Sequence, residues 1–132
     1  MIEQIEVRTP AHACMVDITP QVEAVVARSR IDGGLCHVFV PHTTAALTVN
    51  ENADPTVQSD ILRALDKIVP WRDQYDHAEG NAAAHIKSSL LGQSHSMIIE
   101  EGRLRLGTWQ GIFLAEFDGP RHRTVWVRIV EG

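Results

Sequence analysis

At 132 residues the chain is shorter than the size at which one hydrophobic core divides, so a single domain spanning 1–132 is expected. Its 44% hydrophobic and 22% charged residues exclude a wholly disordered or collagen-like chain. Seventeen acidic residues against twelve basic ones give a formal charge of −5 with no run of Lys and Arg, which argues against a nucleic-acid partner.

Nowhere do about eighteen apolar residues run together, and Met1-Ile2-Glu3-Gln4 opens on an acid rather than a basic leader, so no membrane partner and a cytoplasmic location are expected. The two cysteines, Cys14 and Cys36, are then expected to be reduced and structural.

The first elements read as a hairpin: Ile2, Ile5 and Val7 give a rough strand, Ala13–Ile18 alternate better, and Thr9-Pro10 marks a turn between them. Thr19 before Pro20 predicts a helix start, with Val22, Val25 and Val26 as its apolar stripe and Gly33-Gly34 as its end. Leu35–Val40 is apolar on both faces, the pattern of a central strand, and stops at Pro41. Thr44–Val49 predicts another strand. Asp54-Pro55 repeats the helix-start signal before Val57, Ile61, Leu65 and Ile68, which share one helical face. From Val69 to Gly80 the chain is polar and irregular, a long loop of the kind that carries function. Asn81 is placed to cap a helix running to Gly92. The remainder reads as strands Ser96–Glu101, Leu104–Gln110, Ile112–Asp118 and Thr124–Val130, with turns at Gly102-Arg103 and Gly119-Pro120. This order predicts an α+β fold, a mixed and largely antiparallel sheet with flanking helices.

Seven histidines are many for a chain of this length, and three occupy places where a site can be assembled. His42 follows a strand end, His77 lies in the long loop and His85 stands one helical turn beyond Asn81. Neutral imidazoles suit zinc, copper, iron or nickel and leave a position for water or substrate, while separate packing of each histidine is the alternative. His37 alternates within an apolar run, and His12, His95 and His122 flank turns. Asp54 has a capping role, whereas Glu51 has none and is the better candidate for a general base or carboxylate partner. Gly107 and Gly111 bracket Trp109 and Gln110, an expected bulge or close approach with a pocket wall and a polar reader. Arg121 and Arg123 on the Gly119-Pro120 turn, with Lys87, offer fork-shaped and point-charge donors to a phosphate.

Taken together, His42-Thr43-Thr44-Ala45, Asn50-Glu51-Asn52, Asn81-Ala82-Ala83-Ala84-His85-Ile86-Lys87, Leu106-Gly107-Thr108-Trp109-Gln110 and Glu116-Phe117-Asp118-Gly119-Pro120-Arg121 resemble the YjbQ family of small bacterial and archaeal proteins over essentially the whole chain. The most specific stretch is Ser94 to Ile112, where a serine, alternating apolar residues and a glycine precede Gly-Thr-Trp-Gln; Met97 stands where an aliphatic residue is usual. The resemblance implies an α+β fold, a homotrimer and a histidine-lined metal or anion pocket that takes a small phosphorylated substrate. It also implies a secondary thiamine-phosphate synthase activity, joining a pyrimidine diphosphate to a thiazole phosphate with release of pyrophosphate. Carried over by position, it makes His42, His77 and His85 the metal ligands, Glu51, Lys87 and Arg121 catalytic, and Trp109, Gln110 and Arg123 substrate-binding.

Synthase chemistry would need a metal and Lys or Arg on the departing diphosphate and an aromatic face near the developing cation. The divalent ion would be zinc or magnesium, and the two conflict: magnesium prefers oxygen ligands, three imidazoles a softer ion. That tension leaves two alternatives, a metal-dependent hydrolase of a phosphoester or amide and a non-enzymatic trimeric protein binding a metal or small anion.

Overall fold

Alternating apolar residues sort the strands of this chain into two antiparallel sheets that share one core. The computed structural model describes residues 2–132. In chain order its elements are β1 (Ile2–Thr9), β2 (Cys14–Asp17), α1 (Thr19–Ser29), β3 (Gly34–Phe39), β4 (Ala45–Glu51), α2 (Pro55–Ile68), α3 (Ala82–Leu91), β5 (Ser94–Glu100), β6 (Arg103–Leu104), β7 (Gln110–Glu116) and β8 (Arg121–Glu131). One sheet has the order β1-β8-β3-β5-β6 and the other β2-β7-β4. Every ladder among the described residues is antiparallel, so the mixed sheet expected from sequence resolves into two antiparallel ones.

The expected N-terminal hairpin does not form. β1 pairs with β8, Ile5 opposite Val125, and β2 pairs with β7, Val16 opposite Leu114. Thr9-Pro10 therefore carries the chain from one sheet to the other; local alternation shows that a strand exists but not which strand completes its hydrogen bonds. The strand expected at Leu104–Gln110 shortens to Arg103–Leu104, because Gly107 N–H turns back to the Gln110 side chain (2.8 Å). Gly111 does meet a close neighbour, since a Cβ there would lie 2.5 Å from the Asn52 amide.

The main core lies between the sheets. Cys36, Val38, Val125 and Val127 of the larger sheet face Leu47, Ile112 and Leu114 of the smaller, and α1 closes one end with Val22, Val25 and Val26. Each such side chain, removed from water, contributes about 1.5–3 kcal/mol. Thr19 does not cap α1. The Asp17 carboxylate accepts its N–H (2.9 Å), and the Thr19 hydroxyl accepts from Ile112 N–H (2.8 Å), pinning the helix to β7. The helix ends at Arg30, in a left-handed conformation, before the expected Gly33-Gly34.

A smaller cluster of Ala46, Ala84, Ala115 and Phe117 lies on the other face of the smaller sheet, with Leu62 and Leu65 of α2 packed against it. The small residues at the start of α3 let that helix sit close to the sheet, where Ser88 Oγ donates to Ala45 O (2.7 Å). Asp54 caps α2 as expected, accepting from Thr56 N–H (3.0 Å).

β3 is central, as its apolar run predicts, but only one of its faces is covered. Cys36 and Val38 are buried while Leu35 and Phe39 are exposed, and His37, expected inside a buried run, is exposed as well. Cys14 and Cys36 are free thiols, and burial pushes Cys36 up to about 11. Among the described residues no helix is long and apolar enough to cross a membrane.

Candidate functional site

Three chain segments far apart in sequence meet at one end of the smaller sheet: the β3–β4 connection, the long loop with the first turn of α3, and the β7–β8 turn. Between them is a hollow of about 430 Å³ lined by His42, Thr44, His77, Asn81, His85, Asp118, Arg121 and Arg123, among others. The long loop is held down locally, with the Tyr75 hydroxyl donating to Pro70 O and His12 standing edge-on to Trp71 at 4.4 Å. Those anchors bring His77 to the edge of His85, ring centroids 5.1 Å apart.

The floor of the hollow is a buried ion pair. Glu116 is fully buried and Arg123 is 5% exposed. Arg123 donates from Nε to Glu116 Oε1 (2.8 Å), from Nη2 to Oε2, and from Nη2 to Thr44 Oγ1 (2.9 Å). Glu116 also accepts from the Thr9 hydroxyl (2.8 Å) and from Asp118 N–H (3.0 Å). Burial alone would raise this carboxyl, but the bonds from Arg123, Asp118 and Thr9 outweigh it and hold Glu116 below the ordinary carboxylate range. The pair fixes the β3–β4 connection to β8 through Thr44.

Arg121, two residues earlier, makes the opposite use of the same chemistry. Its Nε donates to Asp118 O (2.7 Å) and its Nη2 to Asp118 Oδ2 (3.0 Å), on a side chain half exposed to solvent. Asp118 in turn accepts from Asn81 Nδ2 (2.9 Å). Burial alone would raise Asp118 too, but the bonds from Asn81 and Arg121 and the Arg121 charge keep it below its usual value. Gly119 is required by close approach: a Cβ there would lie 2.2 Å from Ala11 O.

Asn81 departs from its expected role. It stands at the cap position of α3, yet its side chain makes no capping bond and reaches Asp118 instead. Its Oδ1 is buried with no partner, a condition that costs on the order of 1–3 kcal/mol. Reading Asn81 only as a cap hid this second use, and the sequence offers no signal for it beyond a polar residue facing a turn acid far along the chain.

The three histidines share the hollow but do not form a metal centre. His42 Nε2 lies 3.0 Å from Thr124 N and 3.1 Å from Thr124 O, so the strand backbone engages one of its two ring nitrogens. Burial and the nearby Arg123 charge hold His42 below the ordinary imidazole value, which keeps it neutral and lets Nε2 accept the Thr124 N–H. His77 Nε2 faces the Glu79 carboxylate at 3.8 Å. Among the described residues no group of three or more His, Cys, Asp or Glu side chains is arranged to hold an ion. The expected metal-binding cluster of His42, His77 and His85 is thereby corrected.

The other expected site residues are dispersed. Lys87 is buried on α3, where it pairs with Asp66 of α2 and lies 5.9 Å from the Phe117 ring centroid, so its charge ties two helices together. Arg123, read as part of an exposed turn, is the buried partner of Glu116. Glu51 ends β4, and its backbone carbonyl accepts from Gln58 Nε2 (3.2 Å). Trp109 is 63% exposed, and Gln110 lines a separate hollow with Val49, His95 and Arg105. Of the residues set beside the histidines, only Arg121 and Arg123 line the histidine hollow.

Residues 3–132 match the family described as UPF0047 protein YjbQ-like. UPF0047 protein YugU of Bacillus subtilis is 48% identical over 98% of this chain and 99% of its own length, and UPF0047 protein MJ1081 of Methanocaldococcus jannaschii 47% identical over 98% and 94%. A crystal structure of an uncharacterized conserved protein of the YjbQ/UPF0047 family from Clostridium acetobutylicum superposes with TM-score 0.95 at 51% identity, covering 97% of this chain and 99% of that one. A YbjQ-like protein of unknown function from Sulfolobus solfataricus superposes with TM-score 0.96 at 38% identity, covering 100% and 97%. None of these names carries an activity, and among the described residues no set of metal ligands includes the histidines, so the expected thiamine-phosphate synthase activity is corrected: neither the relatives nor the site supports it. The physical reason is that Lys87, assigned to the departing diphosphate, Trp109, assigned to the developing cation, and Glu51, assigned as general base or carboxylate partner, do not line the hollow, and the metal that the metal-dependent hydrolase reading also needs has no ligand set among the described residues.

Proposed function

From the premise that this chain belongs to the UPF0047 YjbQ-like family, we propose that its histidine hollow binds the phosphate group of a small phosphorylated molecule through hydrogen-bond donors of the protein itself. One observation carries the reading: Arg121, His77, His85 and the side-chain-uncapped N-terminus of α3 converge on a single hollow. Arg121 commits Nε and Nη2 to Asp118, and among the described residues Nη1 has no protein partner, leaving a charged donor open to a ligand. The first N–H groups of a helix and its positive dipole end favour an anion at the same place. The ring N–H groups of the wall histidines add neutral donors to the same hollow. Titration with inorganic phosphate, followed by calorimetry and by the imidazole NMR signals of His77 and His85, is expected to show one saturable site per chain. Absence of binding at 20 mM phosphate, about the weakest affinity worth calling a site, refutes the reading.

The chain's self-association is part of the same proposal. The outer face of β3, β5 and β8 presents a row of Ile98, Leu35 and Val130 in register, 60%, 47% and 51% exposed, with Phe39 stacked on Trp126 at 5.8 Å beside it. An exposed apolar patch of this kind fits association with further copies of the chain. Phe39 also lines a hollow with His42 and His85, which puts the association face next to the site. Light scattering is expected to give a trimer at micromolar concentration and a smaller species for Leu35→Glu. A monomeric parent chain refutes it.

A further inference from the structure

Asp118 brings an open acceptor into a hollow lined by donors. Its backbone N–H is taken by Glu116 Oε2 (3.0 Å) and its carbonyl by Arg121 Nε (2.7 Å), while Oδ2 accepts from both Asn81 Nδ2 (2.9 Å) and Arg121 Nη2 (3.0 Å). Among the described residues Oδ1 has no donor, and it is not sealed: the one fully buried side-chain atom left without a partner there is Asn81 Oδ1. Asp118 lines the hollow, and Oδ1 is the one polar atom it has left to meet that space. Burial would raise this carboxyl, but the bonds from Asn81 and Arg121 outweigh it, so Oδ1 belongs to a carboxylate.

An open carboxylate oxygen repels an anion unless the anion donates a hydrogen to it. No surplus of positive charge offsets that repulsion here, because Arg121 is paired with Asp118, Arg123 with Glu116, and Glu79 adds a further carboxylate to the wall. Resting on the phosphate-pocket reading above, we infer that the hollow takes a phosphate carrying a hydrogen on one of its oxygens, as hydrogen phosphate or the monoanion of a phosphomonoester. Asp118 Oδ1 accepts that P–O–H, and Arg121 Nη1 donates to another oxygen of the same group. Sulfate and phosphodiesters share the tetrahedral shape but have no such hydrogen, so they set bare oxygen against the carboxylate. The preference is strong because it opposes an attraction to a repulsion, the means by which a site rejects a near-isostere.

The test titrates the full chain with inorganic phosphate and with sulfate, by calorimetry in mildly alkaline buffer, where the two are dianions of one shape that differ by a single O–H. Phosphate is expected to bind about tenfold or more tightly than sulfate. In Asp118→Asn, checked for folding by circular dichroism, the donors of Asn81 and Arg121 claim the amide oxygen and leave the NH₂ group in the open position. The variant is expected to lose phosphate affinity and gain sulfate affinity, which brings the ratio of the two to one or below. Equal loss of both anions, as a structural role alone would give, overturns the inference. Equal affinities in the parent protein overturn it without any variant. If neither anion binds, the pocket reading falls and this inference with it; if both bind alike, only the selectivity assigned to Asp118 falls.

Discussion

Arg121 and Arg123 lie on the same strand, two positions apart, and each meets a carboxylate from the β7–β8 turn region, yet their surroundings differ in every other respect. The Arg123 and Glu116 side chains are 6% and 0% exposed, whereas those of Arg121 and Asp118 are 50% and 15% exposed. The inner guanidinium directs Nε and Nη2 to Glu116 and Thr44, the outer one the same two nitrogens to Asp118, and the two differ in how far they are withdrawn from solvent. Thr9 joins the two, its hydroxyl donating to Glu116 and accepting from Arg121 N–H at 2.8 Å in both bonds. The lesson is that charge in a site divides into a part that holds the frame and a part that meets the ligand, and burial assigns the roles.

The largest effect should come from breaking the inner pair. Arg123→Met leaves Glu116 as an unmatched buried charge and is expected to cost about 3–5 kcal/mol in urea unfolding, while adding Glu116→Leu should recover most of it. A loss below ~1 kcal/mol would erase the distinction between the two arginines.

The outer pair should behave in reverse. Arg121→Ala is expected to change stability by less than about 1 kcal/mol, as half-exposed ion pairs do, and to weaken phosphate binding about tenfold, the equivalent of ~1.4 kcal/mol. Undiminished binding would show that Arg121 is not a ligand contact.

A smaller and pH-dependent effect should come from His42, which stands beside the inner arginine. Its value is lowered in the folded chain by burial first and by the Arg123 charge second, so the unfolded chain takes up a proton at higher pH than the folded one. The stability this represents is present above the ordinary imidazole value of about 6.5 and is lost as pH falls from there toward the folded value. His42→Asn is expected to flatten the dependence of unfolding free energy on pH between 7 and 5. An unchanged slope would mean that burial and the Arg123 charge do not hold the ring neutral.

The features legible before folding are mostly local. Pro55 after Asp54 set the start of α2, the apolar run before Pro41 marked β3 as a central strand, and the motifs around His42, His85 and Trp109 carried the family. These are readable because capping, proline geometry and side-chain alternation act over a few residues. The histidines were legible as neighbours, since they line one hollow, but their function was not: whether Nε2 of His42 is free depends on Thr124, 82 residues away. The same holds for Arg123, which reads as an exposed turn residue until Glu116 and Thr44 close around it, and for Asn81, whose partner Asp118 is 37 positions distant. Lys87 looked like a phosphate donor and is a helix tie because Asp66 arrives from α2. In each case the role follows from the partner: hydrogen-bond donors and acceptors are satisfied within about 3 Å in space, and folding brings that neighbour from a part of the chain whose local pattern does not name it.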